Sequence, residues 1–246
     1  MKKILVSQPA PANGKSPYLD LAEQYGLEVI FRPFIKIEAL PVKEFRQQKV
    51  NIADYTAVIL TSKAAADNFF RLAKETRVSI PDTMKYFCTT ESIANYLQNY
   101  IVYRKRKIFF GLTGKLDDEQ LDAFFTKHHK EHFLFPISDV HKDKTDVLDK
   151  LKLDYTKAIM YRTVSNDFTP DEVLDYDMLV FFTPAGINSL KKNFPEFDQE
   201  KEGVTIACLG PATQKAAEAA GLKVDIAAPS PATPSMPAAI SAYLRK

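Results

Sequence analysis

Short apolar runs alternate along the chain with segments in which apolar residues recur every three or four positions. Residues 3–7, 57–61 and 178–182 have the composition of short buried strands. Residues 63–74 and 185–192 follow two of these runs and have the spacing of amphipathic helices. Because strands that alternate with helices form parallel sheets, the pattern predicts an α/β fold.

Part of this pattern occurs twice. Residues 54–64 have a counterpart 121 positions later, at 175–185, and in both copies an apolar strand passes into a helix. Residues 1–37 and 132–164 also match, since each reads as a strand, a loop, a helix and a long extended run. The chain therefore has the order A, B, A′, B′, and its 246 residues suffice for two domains.

Hydroxyl residues occupy the same positions in both copies of the repeat. Ser62 corresponds to Thr183, Ser92 corresponds to Thr213, and each is predicted where a strand ends and a helix begins. Ligands bind at this end of α/β sheets, and the free N–H groups of a helix start attract anions. Helix capping, worth ~1 kcal/mol per residue, explains the same pattern and stays open for each residue. The paired positions favour a two-lobed protein that holds one polyanionic ligand.

Composition argues against several classes of protein. The net charge is +2, which disfavours a dedicated nucleic-acid binder, and the basic run at 104–107 is interpreted as solvated surface. No apolar stretch approaches the ~20 residues of a membrane helix. Cys88 and Cys208 lie in apolar runs and are interpreted as buried small hydrophobes, so the cytoplasm is the expected location.

Several catalytic motifs are absent from the sequence. It contains no Gly-rich phosphate loop and no G-x-S-x-G, which disfavours the common nucleotide enzymes and the α/β-hydrolases. The four histidines do not have the spacing of metal ligands.

A set of short motifs, ordered along the whole chain, gives a more specific indication. No motif is specific by itself, but together and in this order they resemble the uroporphyrinogen-III synthase family. They lie at residues 4–6, 25–29, 32–34, 60–62, 160–164, 182–186, 209–213 and 227–233.

The resemblance implies an architecture. The family has two flavodoxin-like α/β lobes with parallel sheets, joined by a two-stranded β-ladder. One lobe would be discontinuous and combine residues 1–36 with 165–246, and the other would comprise residues 39–160. The chain would cross between the lobes near residues 33–38 and 161–165.

The resemblance also implies a reaction. The substrate would be hydroxymethylbilane, a linear tetrapyrrole with eight carboxylates, in haem-type or cobalamin-type tetrapyrrole biosynthesis. A lyase of this family closes the chain into a ring, with loss of water and inversion of the last pyrrole, ring D. The implied protein is a cofactor-independent monomer that has a small-molecule substrate and binds neither nucleic acid nor membrane.

Site residues follow from the same resemblance. It places a functional tyrosine of the family at Tyr161, although a strand tyrosine packed on a sheet would give the same pattern. Two positions depart from the family, because bacterial members often carry Arg at Gln8 and other members carry Gly at Thr89. The implied substrate-binding residues are Ser62, Ser92, Thr183, Ala185, Gly210 and Thr213.

Two other classes of protein fit the same pattern. A two-lobed protein that binds a small molecule without chemistry would also close on its ligand. A flavodoxin-like signalling module would show an acidic cluster at the sheet's switch point, which the sequence lacks. The isomer formed from hydroxymethylbilane separates the enzyme from both alternatives.

Overall fold

The computed structural model describes residues 2–12, 14–140 and 145–245. The chain forms two compact units, which we call unit 1 (Met1–Lys36 and Val164–Lys246) and unit 2 (Ile37–Thr163). It therefore passes between the units twice.

The elements alternate along the chain as the apolar pattern predicts. The strands are β1 (Lys3–Val6), β2 (Glu28–Phe31), β3 (Ile35–Ala39), β4 (Ala57–Leu60), β5 (Lys85–Cys88), β6 (Ile108–Phe110), β7 (His132–Ser138), β8 (Asp154–Ser165), β9 (Met178–Phe181), β10 (Thr205–Leu209) and β11 (Ile226–Ala228). The helices are α1 (Pro17–Tyr25), α2 (Val42–Gln47), α3 (Lys63–Glu75), α4 (Glu91–Tyr96), α5 (Glu119–Lys127), α6 (Asp146–Lys150), α7 (Pro184–Asn193), α8 (Gln199–Glu202), α9 (Pro211–Ala219) and α10 (Met236–Leu244).

Unit 1 is built on a sheet of five parallel strands in the order β2-β1-β9-β10-β11. Numbered along the chain within the unit, this is the order 2-1-3-4-5 of flavodoxin-like folds. The strand order reverses between β1 and β9, so the switch point lies between the ends of these two strands. The predicted α/β class with parallel sheets is confirmed.

Unit 2 is built on a six-stranded sheet in the order β3-β8-β7-β4-β5-β6. The pairs from β8 to β6 are parallel. The edge pair runs antiparallel, since Leu40 N–H donates to the carbonyl of Met160 and Asn166 N–H donates to that of Phe34, at 3.1 and 2.8 Å. The use of β3 and β8 as a two-stranded linker stays a prediction.

The two units share one topology. Without β3, unit 2 has the order β8-β7-β4-β5-β6, which matches β2-β1-β9-β10-β11 of unit 1 when β7 and β8 are counted before β4. The register agrees, because Met178 pairs with Ile4 while Ala57, 121 positions earlier, pairs with Phe133. The repeat in the sequence is therefore a structural repeat in which unit 2 is a circular permutation of unit 1.

Each unit has its own hydrophobic clusters on both faces of its sheet. In unit 2, Phe87 stacks on Phe125 and meets Phe133 edge-on, each with a centroid distance of 5.1 Å. The central strands carry apolar residues on both faces, as strands covered by helices on both sides do. Cys88 and Cys208 are buried free thiols, as predicted.

Two absences hold for the described part of the chain. No described helix is both long and apolar enough to span a membrane. The described residues also contain no group of three or more His, Cys, Asp or Glu side chains that could hold a metal ion.

Candidate functional site

The end of β4 in unit 2 places a hydroxyl at the start of α3. Ser62 adopts an extended backbone and is the N-cap of α3, where its Oγ accepts a hydrogen bond from Ala65 N–H at 3.0 Å. The side chain of Ser62 is only partly buried. Capping therefore does not remove it from solvent, and both interpretations of this residue remain compatible.

Tyr161 meets Ser62 at this edge. It lies near the end of β8 and is 8% exposed, and its hydroxyl oxygen is 3.4 Å from Ser62 Oγ. Either hydroxyl can donate in this hydrogen bond. Of the sequence-predicted residues, these two are the pair whose side chains the structure brings together within unit 2.

Two residues that the sequence did not indicate, Gln48 and Arg71, hold the β8 backbone next to Tyr161. The Gln48 carboxamide donates to Ile159 carbonyl and accepts from Ile159 N–H, both at 2.8 Å, in the manner of a strand neighbour. The Arg71 guanidinium donates to the Leu40 carbonyl at 2.8 Å and to Met160 carbonyl at 3.4 Å. These contacts fix the β8 backbone just before Tyr161, and no local pattern predicts them.

Ser92 does not begin α4, contrary to prediction. The helix begins at Glu91, and the N-cap is Thr90, whose Oγ1 accepts a hydrogen bond from Ile93 N–H at 3.3 Å. Ser92 is an exposed residue in the first turn. Thr90 and Ser92 are both hydroxyl residues, so the spacing alone does not distinguish the cap from its neighbour.

Thr213 is not a cap either. The N-cap of α9 is Gly210, at φ 81°, and Thr213 is the third residue of the helix and 2% exposed. Gly210 therefore corresponds to Thr90 rather than to Thr89. A side chain at φ 81° would be strained, although no atom lies within 4 Å of the position that its Cβ would take.

A pocket of about 280 Å³ lies at the switch point of unit 1. Thr183 caps α7 there, with Oγ1 accepting from Gly186 N–H at 3.3 Å, and Ala185 is the second residue of the helix. The backbone N–H of the second residue of a helix, here Ala185, has no acceptor within the helix. The pocket is lined by Ser7, Gln8, Pro9, Ile35, Phe182, Thr183 and Gly186.

Ser62 and Thr183 hold equivalent positions in the structural repeat, since each follows a central strand and caps the next helix. The register of β8 shifts between Ile159 and Tyr161, and β2 ends at Phe31, so the strand pairing does not align Tyr161 with a residue of unit 1.

The carboxyl ends of the strands form one rim of each sheet, and the basic residues near the two rims differ in their pairing. Arg32 donates to both carboxylate oxygens of Glu172, at 2.7 and 2.9 Å, and this contact lowers the pKa of Glu172 to about 2. Arg162 pairs with Glu44. Lys63 follows Ser62 directly, lies over the ring of Tyr96 at 5.2 Å, and makes no ion pair within the described ranges. Lys63 is therefore available to a ligand carboxylate beside the Ser62–Tyr161 pair.

The loop after β6 is held by one buried carboxylate. Asp118 Oδ2 accepts from Leu112 and Thr113 N–H at 2.9 and 2.8 Å, while its Oδ1 caps α5. Burial alone would raise the pKa of Asp118, but these backbone donors outweigh it and lower the pKa to about 2. A Cβ on Gly111 would lie 2.8 Å from Asp118 Cγ, so the loop requires glycine there.

The fold defines an α/β protein of two flavodoxin-like units with hydroxyl-capped helix starts at the carboxyl ends of their strands. The family model described as uroporphyrinogen-III synthase HemD matches residues 16–238. The chain belongs to the uroporphyrinogen-III synthase family, an enzyme family of tetrapyrrole biosynthesis.

Comparison with solved structures agrees with this assignment at the level of fold. The uroporphyrinogen-III synthetase of Helicobacter pylori 26695 is 17% identical, with a TM-score of 0.61 over 100% of this chain and 99% of that one. A mutant uroporphyrinogen III synthase of Thermus thermophilus is 15% identical, with a TM-score of 0.49 over 100% of this chain and 98% of that one. The agreement in fold rests on the first of these two structures. No curated protein matches the sequence significantly.

Proposed function

We propose that this chain converts hydroxymethylbilane to uroporphyrinogen III as a lyase that needs neither a metal nor an organic cofactor. Ring D is inverted, one molecule of water leaves and the macrocycle closes. The observation that carries the proposal is the Ser62–Tyr161 pair at the carboxyl edge of unit 2, in a chain of this family.

The reaction needs orientation more than a strong catalytic group. The pyrrole chain already carries a nucleophilic carbon and a good leaving position, and without enzyme it closes spontaneously without inversion. The protein must hold the chain so that the other carbon attacks first and a spiro intermediate forms. Control of this kind comes from positioning, which accounts for a large share of many enzymatic rate enhancements.

The rims supply suitable contacts for a polycarboxylate. Helix starts at Ser62 and Thr183 present N–H groups that hold acetate and propionate arms, and Lys63 adds a positive charge. Tyr161 donates a proton, or a hydrogen bond, to the departing hydroxyl. Because a phenol is a weak acid, this help is small in the ground state and grows as the carbon–oxygen bond breaks.

A binding protein without catalytic activity is the second candidate. The pocket of about 280 Å³ at the switch point of unit 1 favours it, because such pockets bind ligands whether or not chemistry follows. We further propose a monomer that acts in the cytoplasm on a small-molecule substrate.

The two candidates differ in their product. Purified protein without added metal or cofactor is mixed with freshly prepared hydroxymethylbilane, and the macrocycle isomers are separated. The enzyme yields mainly the type III isomer. The binding protein yields only type I, at the rate of the blank, while its melting temperature still rises with the ligand.

A further inference from the structure

A second pocket lies in unit 2 at the opposite edge of the sheet from the Ser62–Tyr161 pair. Its volume is about 420 Å³. It is bounded by the C-terminal half of α3, by the first residues of β5 and β6, and by residues 100–104. The amino ends of β5 and β6 thus meet this pocket, whereas the candidate active site lies at the carboxyl ends.

One wall of this pocket is aromatic. Phe70 stacks on Tyr100 with a centroid distance of 4.4 Å and an angle of 5°, and on Tyr86 at 6.1 Å and 24°. Tyr100 is 40% exposed and Val102 is 78% exposed, so flat apolar surface faces solvent at the mouth. Such a wall is suited to the face of a planar aromatic ligand.

The rim of the pocket is positively charged. Lys74, Arg104 and Lys107 line it together with one acid, Asp82. Arg104 and Asp82 pair at 3.6 Å, whereas Lys74 and Lys107 make no ion pair among the residues that the structure describes. Two ammonium groups therefore remain for an anion. The sequence had suggested only solvated surface for the basic run.

A phenol on the wall completes the site. Tyr86 lines the pocket and is 3% exposed, and its hydroxyl has no hydrogen-bond partner within the described ranges. Burial raises the pKa of Tyr86, so the group stays protonated at neutral pH. The Tyr86 hydroxyl is not among the fully buried unpartnered polar atoms of the described residues, so it reaches solvent and can donate a hydrogen bond to a ligand in the pocket.

We propose that this pocket is a second ligand site, which binds a small planar aromatic carboxylate. The ring lies against Tyr100 and Val102, the exposed apolar residues at the mouth, the carboxylate pairs with Lys74 and Lys107, and Tyr86 donates a hydrogen bond to the ligand. This site is separate from the proposed active site and does not depend on the proposed reaction.

The test uses 2-naphthoate as the probe and the full-length chain. Binding is followed by calorimetry and by NMR of the methyl groups of Val102 and Ile108. 2-Naphthalenemethanol, which lacks the charge, and hexanoate, which lacks the ring, are titrated in parallel. We expect saturable 1:1 binding of naphthoate, with shifts at both methyl-bearing residues, and at least tenfold weaker binding of each control compound.

Variants identify the groups involved. Lys107→Ala should weaken naphthoate binding about tenfold and Tyr86→Phe several-fold, as expected for a charged and a neutral hydrogen bond. Lys105→Ala is the matched control, since Lys105 belongs to the same basic run but does not line the pocket. Its affinity should stay within twofold of the parent. The proposal is wrong if naphthoate does not saturate, if the alcohol binds as well, or if Lys105→Ala weakens binding as much as Lys107→Ala. All variants must melt cooperatively.

Discussion

The side-chain oxygens of Ser62 and Tyr161 lie 3.4 Å apart, although 99 positions separate them in the sequence. Ser62 begins α3 directly after β4, and Tyr161 lies on β8, with β7 between the two strands in the sheet. The pair joins a helix start, which attracts anions, to a phenol, which can donate a proton. This relationship underlies the first prediction.

Tyr161→Phe should lower type III turnover more than any single change among Ser62→Ala, Ser92→Ala, Thr183→Ala and Thr213→Ala. Each of the four hydroxyls contributes at most one neutral hydrogen bond, about 0.5–1.5 kcal/mol, which is about tenfold or less in rate. Assistance to the leaving group acts as the bond breaks and reaches ~10²–10⁴-fold in general, and we expect less than this because the pyrrole nitrogens already expel hydroxide. The rates are measured with isomer-resolved assays.

A control separates capping from function in this series. Asp198 caps α8, which precedes β10 and so lies at the other edge of its sheet. Asp198→Ala should lower the melting temperature as Ser62→Ala does, without a change in turnover. If Tyr161→Phe keeps full type III turnover while one of the hydroxyl variants is inactive, the roles assigned to these residues are wrong.

Asp118→Ala should lower the free energy of unfolding by about 2–4 kcal/mol, because it removes a helix cap and the two loop contacts of a charged acceptor. The pKa of Asp118 falls from 3.8 in its ordinary state to about 2 in the folded chain. Its contribution is therefore complete above pH 4 and is lost as the pH falls toward 2. Denaturant titrations from about pH 7 to pH 2 measure this difference.

Asp117→Ala is the matched control for Asp118→Ala, since Asp117 is exposed. It should change the free energy of unfolding by less than about 0.5 kcal/mol at every pH. Equal effects of the two substitutions would show that the Asp118 contacts do not stabilise the loop.

His128→Phe should reduce the loss of stability on acidification. His128 Nε2 is buried without a hydrogen-bond partner among the described residues, and its ring lies 4.6 Å from that of Phe109. Burial lowers the pKa of His128, so protonation favours the unfolded chain as the pH falls below 6.5. Melting temperatures between about pH 7.5 and 5 should decline less for this variant than for the parent.

His129 provides the comparison for His128, because it is the next residue and is exposed. His129→Gln should leave the pH dependence of the melting temperature as it is in the parent. An unchanged pH dependence in His128→Phe would mean that this histidine does not resist protonation in the folded state.

Unit 2 should fold by itself. A segment of residues 35–165 contains β3 to β8 complete, and the two hydrophobic clusters of the unit contain only its own residues. We expect a single cooperative thermal transition for this segment. The same segment with Phe87→Ala should lose about 3–5 kcal/mol and melt without cooperativity. If the unsubstituted segment shows no cooperative thermal transition, unit 2 depends on the rest of the chain for its stability.

The sequence predicts the parts of this protein that follow from local periodicity. Apolar runs and helical spacing located the strands, and the 121-residue repeat placed Ser62 and Thr183 at equivalent helix starts. The sequence does not distinguish neighbouring residues that share a chemistry, and for this reason it predicts Ser92 at the helix start that Thr90 caps. The resemblance, rather than the pattern, singled out Tyr161.

Other features depend on contacts between distant segments, which no periodicity records. The sequence around Gln48 and Arg71 gives no sign that their side chains reach the backbone of β8. Asp118 caps α5, and its second carboxylate oxygen also binds the loop before the helix. Pairings of this kind appear only when the chain is folded.

Isomer composition tests the central claim most directly. Freshly prepared hydroxymethylbilane is added to increasing amounts of the full-length protein, with heat-denatured protein and buffer as blanks, and the ring isomers are quantified after oxidation. The account predicts that the type III fraction rises with protein concentration and that type I falls correspondingly. A product that stays type I at the rate of the blanks, at every concentration of folded protein, would contradict it.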